Sequence, residues 1–282
     1  MAATAASASA ASVAACSPGA GPAATGAAAA PTGACSAPGN TSFGPLKQIN
    51  AGVLNIGYAE AGPANGAPVI LLHGWPYDIH SYVDVAPMLA SSGYRSIVPY
   101  LRGYGTTRLL SNETARNGQQ SAIALDIIAL MDALKIEKAI LGGYDWGARA
   151  ADVIAALWPE RWKIASPKWN FDDATFDRTA ASFNNPDHVG IVIHNYRWRL
   201  SLVKGDPQYQ SLEQKLSGGP VITVPTITIS SDFDGVASDG AAYRQKFSGQ
   251  YSHQVLKDIG HNVPQEAPEA FAKAIVEVDG YR

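Results

Sequence analysis

Thiols are nearly absent from this chain. Cys16 and Cys35 are the only cysteines in 282 residues. Beyond them no disulfide framework, thiolate metal site or thiol nucleophile is available. Basic charge is also scarce. Lys and Arg number 21 against 24 Asp and Glu, a formal net charge of −3, so no electrostatic footprint argues for nucleic acid. No run of about 18 strongly apolar residues occurs, which argues against a membrane span. No histidine or carboxylate cluster has metal-ligand spacing, and "GYGTT" lacks the lysine and spacing of a phosphate loop. Neither a metal nor a cofactor is expected.

Charge is missing altogether from residues 1–46, which are mostly Ala, Gly, Ser, Pro and Thr. Such a segment buries too little apolar area to offset its ordering entropy, so it reads as a disordered leader. It lacks the basic start and the Leu/Val/Ile-rich middle of an export signal. "VAAC" (Val13 to Cys16) resembles a lipoprotein cleavage site without its flanks. A cytoplasmic location is favoured, and export is kept open. Oligomeric state is not legible.

What is present from Gln48 onward is alternation. "VLNIGYAE" is β-rich, and "PVILLHG" is a continuous apolar run ending in glycine, as a buried strand would. "RSIVPY", "KAILGG", "VPTITIS" and "HQVLKDIG" read as further strands. Helices are expected around Val83 to Ser91, over Ser121 to Ile136 (with Asp126 and Asp132 off its apolar face), and over Ala148 to Trp158. Two more are expected in "AAYRQKFS" and "PEAFAKAIVEV". Strands alternating with helices imply a mostly parallel sheet covered on both faces. The interval Pro159 to Ser217 breaks the rhythm. It is aromatic, helix-like near its end, and without a clear β-run. The expected organisation is therefore a core of residues 47–158 and 218–282 with an insertion at 159–217.

One turn carries the chemistry. "LGGYDWGARA" sets Gly143-Tyr144-Asp145-Trp146-Gly147 between a strand and a helix, the pattern of a nucleophile elbow with aspartate at its centre. The plainer reading is that Asp145 caps the helix. Two later features favour the elbow. "SSDFDG" puts Asp232 and Asp234 after a strand, and "GHNVPQEAP" puts His261 near the C-terminus. The resulting order is nucleophile, acid, histidine. In "HGWP" the backbone N–H of Trp75, with that of Trp146, is suited to an oxyanion hole. His73 reads as a residue that shapes this loop.

Together, "HGWP", "LRGYG", "GGYDWGA", "SSDFDG" and "GHNVPQEAP" resemble the epoxide hydrolase and haloalkane dehalogenase branch of the α/β-hydrolase family. The likeness covers about residues 48 to 158 and 186 to 282, and "HGWP" with "DWGA" leans toward epoxide hydrolases. It implies an α/β-hydrolase fold with a helical cap and cofactor-free hydrolysis of a small apolar substrate. An aspartate carboxylate, with an ordinary pKa of about 3.9, is charged at neutral pH. It can attack an sp³ carbon of an epoxide or a haloalkane and form an alkyl-enzyme ester. By the same resemblance His261 activates the hydrolytic water, and Asp234, nine residues after Pro225, orients it, with Asp232 as the alternative. Tyr196 in "IHNYRWR" matches a cap tyrosine that protonates the epoxide oxygen, or else simply packs the cap. Trp146, Tyr196 and Trp198 are candidate pocket walls, as is Trp169. The interval after Asp145 is much shorter than capped members have, which implies a reduced cap and leaves the strand after the elbow helix unrecognised. Epoxide opening is the first expectation. Haloalkane hydrolysis, and a degenerate member that only binds ligands, remain beside it.

Overall fold

The structure is a computed structural model that describes residues 42–158, 179–231 and 241–281. Residues 1–41 of the expected leader lie outside it, as do Asp232, Asp234 and Trp169. Strands are β1 (Lys47–Ala51), β2 (Leu54–Ala61), β3 (Ala67–Leu72), β4 (Tyr94–Pro99), β5 (Arg108–Leu109), β6 (Ile140–Gly143), β7 (Thr226–Ser231) and β8 (Tyr251–Leu256). Helices are α1 (Val85–Ser91), α2 (Gln120–Ala133), α3 (Trp146–Leu157), α4 (His188–Arg199), α5 (Gln210–Ser217), α6 (Ala241–Arg244), α7 (Val263–Glu266) and α8 (Pro268–Asp279). The fold is the α/β architecture expected from the alternation.

The main sheet runs β1-β2-β4-β3-β6, with β5 paired to β2. Its leading edge is antiparallel, because β1 folds back on β2 and β2 pairs antiparallel with β4. From there the pairing is parallel, β4 with β3 and β3 with β6. Val69 to Leu72 of β3 are completely buried. That explains their unbroken apolar run: a central parallel strand is covered on both faces. β7 and β8 pair in parallel as a second, two-stranded sheet. Among the described residues no strand joins β6 to β7, and residues 159–178, where the sequence showed no recognisable strand, lie outside the description. α8 packs against both β6 and β7 and so spans the two sheets.

Two adjacent glycines set the layers around β6. A Cβ at Gly142 would meet Phe271 and Ile275 of α8, whereas one at Gly143 would meet Gly147 of α3. Successive strand residues point to opposite faces, so α8 and α3 cover opposite sides. α1 packs with α8, and α2 with α3.

One expectation fails here. Asp126 is not on the solvated side of α2: it is only 6% exposed, close to the fully buried Ile123, Ile127 and Leu130. The reason is Arg102, itself 1% exposed. Its Nε and Nη2 donate to Asp126 Oδ2 and Oδ1 at 2.6 and 2.7 Å. Its Nη1 donates to Asn117 O and Oδ1 at 3.1 Å. This fork holds the loop after β4 against α2 with a bidentate charged pair. Asp126→Asn would leave the guanidinium buried without its counter-charge. The expected loss is about 3–5 kcal/mol of unfolding free energy in urea. Glu137→Gln, on the exposed surface, should change it by less than about 0.5 kcal/mol.

Candidate active site

The site forms at the carboxyl ends of the strands, where parallel sheets of this kind open to ligands. β6 delivers Asp145, β3 delivers the loop from His73 to Trp75, and the turn after β8 delivers His261. Asp145 has φ 48° and ψ −113° as the first residue before α3. A non-glycine residue held at positive φ costs about 1–3 kcal/mol and persists only where its surroundings fix it. Here they do. A Cβ at Gly147 would stand 2.0 Å from the Leu72 carbonyl oxygen, and one at Gly74 would stand 2.5 Å from the Asp145 Cβ. Only glycines allow β3, the elbow and α3 to approach this closely.

The turn aims the carboxylate asymmetrically. Oδ1 accepts the Trp75 N–H at 2.9 Å. Oδ2 faces His261 Nε2 at 3.9 Å and Arg149 Nη2 at 4.0 Å. The Asp145 side chain is 13% exposed and that of His261 44%. Asp145 therefore faces an amide, an imidazole and a guanidinium, and its side chain makes no cap hydrogen bond to α3, which disfavours the plain capping reading.

His261 is fixed through its neighbours. The Glu266 carboxylate accepts the Asn262 N–H at 3.2 Å and also the Gly260 N–H, bracketing the histidine's backbone. Asn262 Nδ2 donates to Ser81 Oγ at 3.2 Å, and Ser81 Oγ shares a 2.8 Å hydrogen bond with the Tyr144 hydroxyl. Tyr144 in turn meets the His261 ring edge-on at 6.1 Å. The elbow's own tyrosine thus ties the histidine turn to the turn that carries Asp145. None of Ser81, Tyr144, Asn262 and Glu266 was singled out from sequence, because their meeting depends on three separate loops.

Tyr196 on α4 reaches the cluster. Its ring lies 5.7 Å from that of Trp75 and 6.1 Å from that of Trp146. Burial, then the Asp145 charge, pushes its hydroxyl above the ordinary tyrosine value, against the opposing pull of Arg199 and of the Trp146 indole N–H. It stays protonated at neutral pH. The Trp146 N–H faces that oxygen but, among the described residues, completes no hydrogen bond. Trp198 is not brought to the cluster. Two residues beyond Tyr196 on a helix is a rotation of about 200°, and its indole Nε1 instead lies beside Gly205, where a Cβ would stand 3.0 Å from it. Two surface cavities, one of about 300 Å³ between the loop after β4 and Ser182 to Asn185 and one of about 390 Å³ beside His194 of α4, are lined by neither Asp145 nor His261.

Beneath the elbow lies an aromatic floor. Tyr104 of "LRGYG" is fully buried and meets His73, Trp146 and His188 edge-on. His73 is fully buried as well. Its Nε2 accepts the Leu101 N–H at 3.1 Å, so Nδ1 carries the proton and donates to the Gly74 carbonyl at 3.2 Å. Both nitrogens are occupied in holding the loop that presents Trp75.

A positively phased elbow, an amide on its carboxylate and a histidine facing it define a hydrolase of the α/β class. The chain belongs to the α/β-hydrolase fold family, in its epoxide hydrolase and haloalkane dehalogenase branch. The family's profile, described as alpha/beta hydrolase fold, matches residues 67–163. A solved candidate epoxide hydrolase from Klebsiella pneumoniae is 47% identical, with a TM-score of 0.80 over 83% of this chain and 97% of that one. Among curated proteins, an epoxide hydrolase of Caballeronia sordidicola is 36% identical over 39% of this chain and 32% of its own length. A haloalkane dehalogenase of Psychrobacter cryohalolentis is 26% identical over 79% of this chain and 87% of that protein. The chain spans about a third of the length of the first curated epoxide hydrolases it matches.

Burial lowers the His73 pKa from 6.5 to about 4. The unfolded chain then binds the extra proton between those values, so the contribution is complete above pH 6.5 and is lost as pH falls toward 4. The expected loss is on the order of 2–3 kcal/mol between pH 7 and 4. His73→Gln should flatten that part of the slope in denaturant titrations at stepped pH.

Proposed function

We propose that the protein hydrolyses epoxides to diols through an ester on Asp145. The observation that carries this reading is the division of labour between the two Asp145 oxygens. Oδ1 is already held by the Trp75 amide, which suits it to become the ester carbonyl oxygen. Oδ2 faces the open side with His261 and is the attacking atom. It displaces the ring oxygen from an epoxide carbon. Tyr196 gives that oxygen its proton, which a strained alkoxide leaving group requires. His261 then takes a proton from water, and the resulting hydroxide adds to the Asp145 carbonyl carbon. The negative charge gathers on Oδ1 between the Trp75 and Trp146 amides. Collapse of this intermediate releases the diol, which carries one oxygen from Asp145. Asp234 orients His261 in this scheme and lies outside the described residues.

The epoxide hydrolase names among the relatives support the substrate class. A second reading rests on one observation: the buried Trp146 indole N–H, which completes no hydrogen bond among the described residues, is a donor suited to a leaving halide. In that case the product is an alcohol and Tyr196 is not needed as an acid.

Asp145→Asn is expected to abolish diol release from styrene oxide. His261→Gln should accumulate the ester, visible as a mass increase of one substrate in intact-protein spectra. A His261→Gln protein of unchanged mass and full turnover would contradict the mechanism. Chloride release from a haloalkane, with no diol from any epoxide, would select the second reading.

A further inference from the structure

The cavity of about 300 Å³ between the loop after β4 and the turn before α4 is lined by Arg108, His80, Tyr100 and small polar side chains and, among the described residues, by no carboxylate. Arg108 lies half-buried on β5. Its Nη1 donates to the Gly105 and Thr107 carbonyls at 2.6 and 2.8 Å, which fixes the guanidinium against its own turn. The Nε–Nη2 edge, which clasps an oxyanion with two parallel bonds, has no partner among the described residues. Arg95, Arg102 and Arg116 each set that Nε on a carboxylate, at 2.5, 2.6 and 2.9 Å. Arg108 keeps the same edge open to the cavity. Tyr100 is 7% exposed, and its ring closes against Gly105, where a Cβ would stand 2.3 Å from it. Burial, then the Asp78 charge, push its hydroxyl above the ordinary tyrosine value, so it is an O–H donor at neutral pH. That hydroxyl also has no hydrogen-bond partner among the described residues. His80 stands on the 3-10 turn Ile79–Tyr82. The fully buried Asp78 carboxylate accepts its backbone N–H at 2.9 Å and its Nδ1–H at 3.0 Å. Nε2 is left as the open ring nitrogen, and Asp78 itself does not line the cavity.

We infer that this cavity is a binding site for a phosphate group, as free phosphate or as a small phosphate monoester, separate from the hydrolytic site. Charge sets the sign, because a half-buried guanidinium with an open clasping edge and no carboxylate beside it favours an anion. Shape sets the class. A planar oxyanion offers its oxygens in one plane and would occupy the Arg108 edge alone. A tetrahedral anion holds further oxygens out of that plane, where the Tyr100 O–H and the His80 ring can meet them. His80 Nε2 accepts from a P–O–H when the ring is neutral and donates to a P–O⁻ when it is charged, and phosphate offers both partners. A volume of about 300 Å³ stands at the lower end of ligand pockets, and it leaves room for a short hydroxylated chain beside the exposed Thr106 and Asn184. The ligand would touch both sides of the cavity, Arg108 and Tyr100 from the core and Asn184 from the turn before α4. Its binding would therefore tie that turn to the core, as Asn185 does through the Tyr104 and Thr107 carbonyls. The inference is independent of the ester on Asp145, since neither Asp145 nor His261 lines this cavity.

The test is calorimetry on the full-length protein in chloride at constant ionic strength, with inorganic phosphate, glycerol 3-phosphate and acetate as probes. Phosphate should bind saturably at one site per chain and about tenfold or more tightly than acetate, the size of one charge-assisted hydrogen bond. Tighter binding of glycerol 3-phosphate than of inorganic phosphate assigns the monoester as ligand, and the reverse assigns free phosphate. Hydrogen exchange locates the site on the unaltered protein: phosphate should slow the backbone amides of residues 104–108 and 182–185. Arg108→Met should weaken phosphate binding about tenfold or more, and Tyr100→Phe about threefold. Arg108→Lys should keep part of the affinity. Ala181 lies on the cavity wall, and Ala181→Trp fills the space without altering a charge. It should abolish phosphate binding, and it decides the matter if Arg108→Met does not fold. No saturable phosphate binding, acetate bound as tightly as phosphate, protection confined to other segments, or an affinity unchanged by Ala181→Trp overturns the inference. None of these results bears on the Asp145 ester, which is tested separately by its own product and mass measurements.

Discussion

The close approach of Gly147 to the Leu72 carbonyl is the contact on which the site depends. β3 and β6 lie side by side in parallel, and α3 starts hard against the end of both. That contact, with Gly74 against the Asp145 Cβ, leaves the elbow no room to relax, so Asp145 stays at φ 48°. The strain is what turns the carboxylate outward, with one oxygen on the Trp75 amide and the other toward His261. A side chain at Gly147 or Gly74 would force the strands apart or rotate the elbow. In either case the two carboxylate oxygens would lose their distinct surroundings.

Around this point the protein spends its buried polar groups on position. His73 uses both ring nitrogens to hold the Trp75 loop. Arg102 and Asp126 lock the stretch after β4, from which Tyr104 rises to pack under Trp146. Glu266, Asn262, Ser81 and Tyr144 pass the position of the elbow to the turn that carries His261. α4 and the turn before it close the other side: Asn185 donates to the carbonyl oxygens of Tyr104 and Thr107, His188 bonds the Gly103 carbonyl, and Tyr196 rests against Trp75 and Trp146. The short interval after α3 therefore still sets an aromatic wall on the site.

Much of the core was legible because buried parallel strands write themselves as apolar runs, and because the elbow's glycines mark a turn no other residue permits. β1 and β5 were not, since an exposed edge strand and a two-residue strand have no buried face to pattern. Asp126 was misjudged for a related reason. Helical periodicity assigns an acidic residue to solvent, and its actual partner, Arg102, is on another element. Asp145, His261 and Trp75 were found from local motifs whose spacing fixes their geometry. Trp198 was grouped with Tyr196 by proximity in sequence, although a helix turns the two apart. The Ser81–Tyr144–Asn262 link had no signal in the sequence, being a product of tertiary packing alone.

The fate of oxygen tests the central claim, that Asp145 bonds to the substrate, most directly. One turnover in ¹⁸O-water, with enzyme in excess over substrate, should give product whose new oxygen is ¹⁶O, and the peptide containing Asp145 should gain ¹⁸O. Product labelled with ¹⁸O in that first turnover, with no label in the Asp145 peptide, would mean that water attacks the substrate directly and that Asp145 is not the nucleophile.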